Sequence, residues 1–285
     1  MANTFITPSL IAKLALHNLY ANAVMPGLVW RDFDPDFAGK QGDTVTVRIP
    51  ATFTAQEFTS SISIQNATET STSVVLNKLL DVSFGITAKE LTLNIDEINQ
   101  RLVMPAMEAM NQKVDNLLLG LRTDVSNNVG TASVTPTDPT ILIDAGKLLS
   151  DANVPMQRRV AVIDTAAEAE FLRDPLFHQA DKRGDTEGLR NAQIGRKFGF
   201  DVFVDQNISD GDGVAFHPTA FVLATRALQK PLGVPDDKCA IVQYKGMGLR
   251  VVMDYDVSSK TDTVSIDMLC GVKTTAAARA VEILG

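Results

Sequence analysis

Apolar and polar positions alternate in different ways along this chain, and each pattern predicts a different element. Leu10, Ile11, Leu14, Leu16, Leu19 and Val24 recur at roughly helical spacing behind the start signal Pro8-Ser9, which predicts an amphipathic surface helix over residues 9–25. Residues 44–50, Thr-Val-Thr-Val-Arg-Ile-Pro, alternate strictly and predict a strand behind the turn cluster Gly39-Lys-Gln-Gly-Asp43. From Thr52 to Ser73 eleven of 22 residues are Ser or Thr, with no Gly and no Pro, and the large apolar groups are Phe53, Phe58, Ile62 and Ile64. Threonine favours extended backbone, but so few apolar side chains cannot cover a two-stranded ribbon. Val74, Val75, Leu76, Leu79, Leu80, Val82, Phe84 and Ile86 then resume a strand pattern that can return antiparallel to residues 44–50. The whole predicts a long hairpin whose tip leaves the core and needs another surface to lie on.

The strongest helical signal follows. Asn94 is a candidate N-cap with Glu97 as its capping-box partner. Ile98, Leu102, Ala106, Met110, Val114, Leu117, Leu121 and Val125 then step along one face, and Asn127-Asn-Val-Gly130 ends the run. A helix over residues 94–125 would be roughly 48 Å long. Pro105 removes one backbone hydrogen bond and crowds the carbonyl of Arg101, so a bend is expected near the first third. Beyond Pro136 and Pro139 the pattern becomes one of short alternating elements: helices over 141–151, 165–173 and 219–229, and strands over 159–164, 201–205 and 214–217. The polar stretch from His178 to Asn191 reads as a mobile loop and Ser209-Asp-Gly-Asp-Gly213 as a hairpin turn. Long strand-like segments over 240–255 and 263–272 and a tail over 276–284 complete an α+β chain with an α/β subdomain.

Composition narrows the chemistry. At 285 residues and 45% apolar content the chain supports one large domain or two interleaved ones, with a core that needs neither disulfides nor metals. Cys239 and Cys270 form no ligand spacing, and two isolated thiols fit a reducing compartment. Twenty-six basic against 34 acidic residues, a net charge of −8, argue against direct affinity for nucleic acid. No apolar run approaches the length of a membrane span, and the first residues carry no basic leader, so neither membrane insertion nor secretion is expected.

The candidate catalytic groups do not assemble into a known arrangement. His17, His178 and His217 sit in no zinc spacing, and there is no phosphate-binding Gly-Lys loop, no nucleophile elbow, and only Gly246-Met-Gly248 where a dinucleotide fingerprint needs a third glycine. Asp32, Asp34 and Asp36 alternate as in a calcium loop. Phe37 stands where the turn needs Gly and Asp43 where a bidentate Glu belongs, so these residues read as a solvated acidic turn. The aromatic residues are not interleaved with Arg or Lys as single-stranded nucleic-acid binding would require. No catalytic, cofactor-binding or metal residue is assigned.

The order of N-terminal helix, projecting hairpin, long bent helix, α/β subdomain and returning strands resembles the major capsid proteins of tailed bacteriophages, which share the Hong Kong 97 fold. Gly39-Lys-Gln-Gly-Asp-Thr-Val-Thr-Val-Arg-Ile-Pro50 is similar to the entry of that family's extended loop, and Asn94 onward to its spine helix. Ile194-Gly195-Arg-Lys-Phe-Gly199-Phe200-Asp-Val-Phe-Val204 resembles a glycine-phenylalanine strand of these coats, and Ala215-Phe-His-Pro-Thr-Ala-Phe-Val-Leu-Ala-Thr-Arg226 the segment after it, with podophage-type coats the nearest match. The resemblance implies an N-terminal arm (1–38), an extended β-hairpin loop (39–87), a peripheral domain with the spine helix (88–135), an axial α/β domain (136–240) and return strands of the peripheral domain (241–285). The connections of the α/β part leave no room for an inserted accessory domain.

It further implies a non-enzymatic subunit without cofactor that builds hexamers and pentamers of an icosahedral shell. That shell would be assembled in the host cytoplasm around double-stranded DNA held without sequence-specific contacts. Ser9 already starts the arm helix, so a separate scaffolding protein is expected, together with a portal and no membrane partner. Phe53, Phe58, Ile62 and Ile64 become candidate inter-subunit contacts, and Pro105 a candidate hinge for shell expansion. Three rival readings remain open. An encapsulin-type shell would enclose enzyme cargo. A metabolic α+β enzyme would use the loop carrying Asp181, Lys182 and Arg183 over a substrate, but it lacks a nucleophile with a base. A tail or fibre subunit suits the Ser/Thr ribbon but not the long helix.

Overall fold

The computed structural model describes residues 8–22, 24–31, 44–49, 55, 57, 70–87, 102–178, 194–208, 211–244, 247–258 and 261–285. Helix α1 (Pro8–Asn22) buries Ile11, Ala12, Ala15, Leu16 and Leu19, a single stripe along one helical face. A one-turn helix, α2 (Met25–Leu28), follows. Strands β1 (Thr44–Ile49) and β2 (Thr70–Val75) form a separate antiparallel ribbon, with Thr44 opposite Val75 and Ile49 opposite Thr70.

The returning pattern over 74–86 divides at Asn77 instead of continuing that ribbon. Strand β3 (Lys78–Thr87) joins a five-stranded sheet, and the long helix α3 (Met104–Leu119) follows it in the chain. The helix is shorter at its end than the 94–125 periodicity predicts: it tightens into a 3-10 turn over Gly120–Asp124 that buries no residue, while Val125 just beyond it returns to the core. The Asn94 cap lies outside the described residues.

Two sheets make up the body. The first has the order β10 (Cys239–Tyr244), β11 (Met247–Asp256), β12 (Thr261–Thr274), β3, all antiparallel, with β9 (Phe221–Arg226) paired to the end of β12. Two sequence expectations are corrected here. Residues 219–229 are not a helix: Phe221-Val-Leu-Ala-Thr is buried at every position, so it carries no alternation, and a fully buried strand cannot be told from a buried helix by period. The segment over 240–255 is two strands, turned back so that Tyr244 faces Met247. Val103 at the start of the long helix and Met107, Met110, Val114 and Leu118 within it pack with the α1 stripe and with Leu249, Val251, Val264, Ile266 and Met268 in one core.

The second sheet is mixed and six-stranded: β4 (Asn128–Gly130), β13 (Ala280–Leu284), β8 (Gly213–Phe216), β5 (Val160–Ile163), β7 (Phe200–Val204), β6 (Arg196–Lys197). Helices α4 (Ile141–Asp151) and α5 (Thr165–Arg173) and the short α6 (Pro175–His178) cover one face through Leu142, Ala145, Leu149, Phe171 and Phe177, packed on Ala161, Ile163 and Ala215. Its other face, Val160, Val162, Val214 and Phe216, belongs to the core of α1 and α3. Successive residues of β5 therefore serve two cores, as the period-2 geometry of a doubly covered strand requires. The loop before Gly213 is a crossover, not the expected hairpin turn, because β5 lies between β7 and β8.

Two side chains fix the local ends of these helices. Asp164 accepts the Thr165 N–H at 2.6 Å as N-cap of α5, and its other oxygen accepts the Gly211 N–H. Arg159 is buried without a carboxylate partner among the described residues. It donates to the carbonyls of Gly146, Val154 and Pro155 and to Ser150, tying the last turns of α4 to the segment that follows, with its positive charge near the negative end of the helix dipole.

Candidate assembly site

The β1/β2 ribbon meets the body at its base, and that base is built for close approach. Val74 and Leu76 sink into a small cluster with Val222 and Ala224, closed by Trp30 and Leu269. Trp30 is itself laced to β9: its N–H donates to the Phe221 carbonyl at 3.1 Å, and its carbonyl accepts from Leu223 at 3.3 Å. Val75, the alternate residue, is 43% exposed, and Leu79 at the start of β3 is 59% exposed.

Between them the chain turns out of the sheet, with the Asn77 N–H bonded to the Val75 carbonyl. That turn crosses directly over Gly271 of β12. A Cβ at 271 would run into the Val75 carbonyl oxygen and sit 2.9 Å from its carbon and 3.2 Å from Leu76 Cα. Lys273 adds a hydrogen bond from Nζ to the Ser73 carbonyl at 2.8 Å. Phe53, Phe58, Ile62 and Ile64, the residues expected to touch a neighbour, lie outside the described residues.

Pro105 is exposed in the first turn of α3, with Leu102 and Val103 wound as a π-turn just before it. A missing N–H is tolerated at this position of a helix. At the far end of α3 an ion cluster joins the 3-10 turn over Gly120–Asp124 to the six-stranded sheet. Arg122 Nη2 lies 2.5 Å from Asp212 Oδ2 and its Nε 3.5 Å from Glu282, while the other oxygen of Asp212 accepts the Gly285 N–H at 3.0 Å. Within the five-stranded sheet Arg250 grips the buried Asp267 through Nε at 3.0 Å and Nη2 at 2.5 Å.

The groups that enzymes use are occupied structurally. His217 is held below the usual histidine range by burial and then by the nearby Arg279, Arg158 and Arg159, and it bonds Thr219 to cap a 3-10 turn. Burial pushes the Cys270 thiol up to about 11 and raises that of Cys239 as well, the opposite of an activated nucleophile. His17 is exposed on α1. Asp32, Asp34, Asp36, Asp181, Lys182, Arg183 and Asp210 fall outside the described residues. Among the described residues no three His, Cys, Asp or Glu side chains converge as a metal site, and no helix is long and apolar enough to cross a membrane.

Sequence reasoning did not single out one group of residues. Asn111 and Asp115 follow the apolar positions Met110 and Val114 of α3 by one residue, so their i, i+4 spacing places two polar side chains at the margin of a buried stripe. Both are buried, as is Asp205 just after β7. Asp115 Oδ1 accepts the Met25 N–H at 3.1 Å, and burial, then the charge of Asp205, pushes its pKa up to about 7.

Two sheets sharing a continuous core, a long helix laid across them and a ribbon attached at its base together make an α+β fold related to the Hong Kong 97-type capsid proteins. Three solved structures carry the likeness. That of Mycobacterium phage Che8 aligns with a TM-score of 0.69 at 19% identity, covering 92% of this chain and 91% of that one. The capsid of the cyanophage P-SCSP1u aligns at 0.61 and 12% identity over 86% and 84%. A virus-like particle from Pyrococcus furiosus aligns at 0.56 and 12% identity over 96% and 97%. At these identities the likeness is one of fold. The sequence model of the phage capsid protein family, however, matches residues 71–280, and the chain belongs to that family. It is a structural coat protein that assembles with its own copies into an icosahedral viral shell, and its place is the virion. No protein with a curated description matches it by sequence.

Proposed function

We propose that this coat protein builds the shell through its β1/β2 ribbon, which serves as an extended loop lying on a neighbouring subunit. The observation that supports this reading is the ribbon itself: a two-stranded sheet tied to the body at Val74, Leu76 and Gly271, with Thr and Ser dominating β2. An isolated two-stranded ribbon is marginal in water, and its free edges gain partners when a third strand or a flat surface covers them. Phe53, Phe58, Ile62 and Ile64 are the side chains proposed to contact the neighbour.

The remaining regions follow the same scheme. Residues 1–38 form an arm, α3 the spine of a peripheral layer, and the six-stranded sheet an axial layer. The layer boundaries are best drawn by sheet, with β3 and β9 in the peripheral layer and β13 in the axial one. Pro105 is the proposed hinge, since a helix start with a π-turn beside it can bend without breaking an interior hydrogen bond.

The shell so built from hexamers and pentamers would enclose double-stranded DNA, use a portal and a separate scaffolding protein, and form in the host cytoplasm. A net charge of −8 suits a wall against which packaged DNA slides without sticking. The likeness to a virus-like particle favours a second reading, an encapsulin-type shell around an enzyme cargo. Electron microscopy of the purified protein, with nucleic-acid content measured on particles isolated from the host, tests both. Closed polyhedra containing DNA support the first reading, polyhedra containing protein cargo the second, and rods or persistent monomers contradict both.

A further inference from the structure

Beside the core shared by the two sheets lies a cleft of about 370 Å³ that no step of shell building accounts for. It is walled by three separate parts of the chain: the backbone at Val24 before α2, one side of α3, and the segment just after β7. Its side chains are Glu108, Asn111, Gln112 and Asp115 from the helix and Asp205, Gln206 and Asn207 from the opposite wall. These are carboxylates and amides. Among the described residues no lysine, arginine or histidine lines it, so two buried aspartates share one space without a basic partner there.

The hydrogen bonding is incomplete in a specific way. Asp205 is 3% exposed, and its Oδ1 accepts both the Asn207 N–H and Nδ2 at 2.8 Å, yet Oδ2 has no partner among the described residues. Asn111, 4% exposed, leaves Nδ2 unpartnered on the facing wall. A buried carboxylate oxygen without a donor is costly, and a second carboxylate nearby makes it more so. Water could donate a hydrogen bond there, but once Asp115 has lost its proton, above about pH 7, it would leave two like charges uncompensated.

We propose that this cleft is a divalent-cation site selective for Ca²⁺, held by Asp115 and the free oxygen of Asp205 and completed by amide oxygens and water. The donors are all hard oxygens with neither thiol nor imidazole, which favours calcium or magnesium over zinc. They come from a helix and a loop, an irregular set that suits the flexible six-to-eight coordination of Ca²⁺ better than the strict octahedron of Mg²⁺. Only two of the acids are buried, which places the affinity in the weak range, with a dissociation constant on the order of 10⁻⁴–10⁻³ M. A bound ion would tie the start of α2, the long helix and the six-stranded sheet together, so shell stability would depend on the calcium level.

The test is calorimetric titration of CaCl₂, and separately MgCl₂, into the purified full-length coat protein stripped with chelator. The expected result is saturable binding of one Ca²⁺ per subunit, Mg²⁺ about tenfold weaker or less, and a melting midpoint raised by about 5 °C once Ca²⁺ is in hundredfold excess over its dissociation constant. Asp205→Asn keeps the acceptor for Asn207 and should weaken Ca²⁺ binding at least about tenfold without lowering the chelator-state midpoint. Should that variant not fold, Asp115→Asn, which still accepts the Met25 N–H, makes the same test. The absence of saturable Ca²⁺ binding to the wild-type protein, or equal affinity in either folded variant, overturns the proposal.

Discussion

Replacing Gly271 with alanine tests how the ribbon is attached to the body. The added methyl would lie 2.9 Å from the Val75 carbonyl carbon and 3.2 Å from Leu76 Cα, against an ordinary carbon contact of about 3.5–4.0 Å. The obstructing atoms are backbone at the turn where β2 leaves the sheet, so no rotamer change relieves them. Either β12 or the Val75–Asn77 turn must shift by most of an ångström. The first course strains the pairing of Cys270 with Lys78 and of Gly271 with Ala224, and the second pulls Val74 and Leu76 from their cluster.

Overpacking of this kind costs about 1–3 kcal/mol, and the immovable backbone puts this site near 3. For a chain of this size that lowers the melting midpoint by roughly 5–10 °C. Gly233→Ala is the control, since nothing lies within 4 Å of a Cβ there. Differential scanning calorimetry on the purified subunit reads the stability, and sedimentation of assembly reactions reads the consequence for the shell. If Gly271→Ala melts within about 1 °C of the control and assembles at the same rate, the ribbon base is not held as described.

The remaining predictions concern charge and hinge. Asp115 has a folded pKa of about 7 against 3.8 for the free side chain, so between these values the folded state holds more protons than the unfolded one. In chelator, stability therefore falls as pH rises from about 4 to 7, by up to about 4 kcal/mol, and Asp115→Asn removes that slope in urea titrations across this range; an unchanged slope contradicts the assignment. Arg250→Met leaves Asp267 buried without its partner and should cost about 3–5 kcal/mol by urea unfolding, while the double change Arg250→Met with Asp267→Leu should recover most of it. Pro105→Ala is expected to slow expansion of the preformed shell, followed by time-resolved scattering, while leaving initial assembly unchanged; expansion at the wild-type rate removes Pro105 as a hinge.

How much of this was legible in the sequence depended on whether a segment has two distinct faces. Helices over 141–151 and 165–173 matched closely because each buries one apolar stripe, and the strands near 160 and 201 because their short runs are rich in Val, Ile and Phe. The strand over 44–49 was visible in its strict alternation, but its partner was not, since the expected return over 74–86 meets it only at Val74 and Val75 and the rest of β2 comes from the Ser/Thr stretch. Phe221–Arg226 was misread because burial on both faces erases the period, and the loop before Gly213 because a strand more than fifty residues upstream lies between its flanks. The cleft at Asp115 and Asp205 left only a faint trace. The i, i+4 pair of polar residues on α3 was visible, but its partner lies 90 residues away and joins it only when the two sheets close on one core.

Hydrogen exchange of the amides in residues 44–49 and 70–75, compared between free subunit and assembled shell, tests most directly whether the ribbon relies on a neighbour. The account predicts exchange near the unprotected rate in the free subunit and slowing of at least about tenfold in the shell, the loss of local opening expected when a marginal ribbon gains a covering surface. Equal rates in the two states, whether fast or slow, would contradict it.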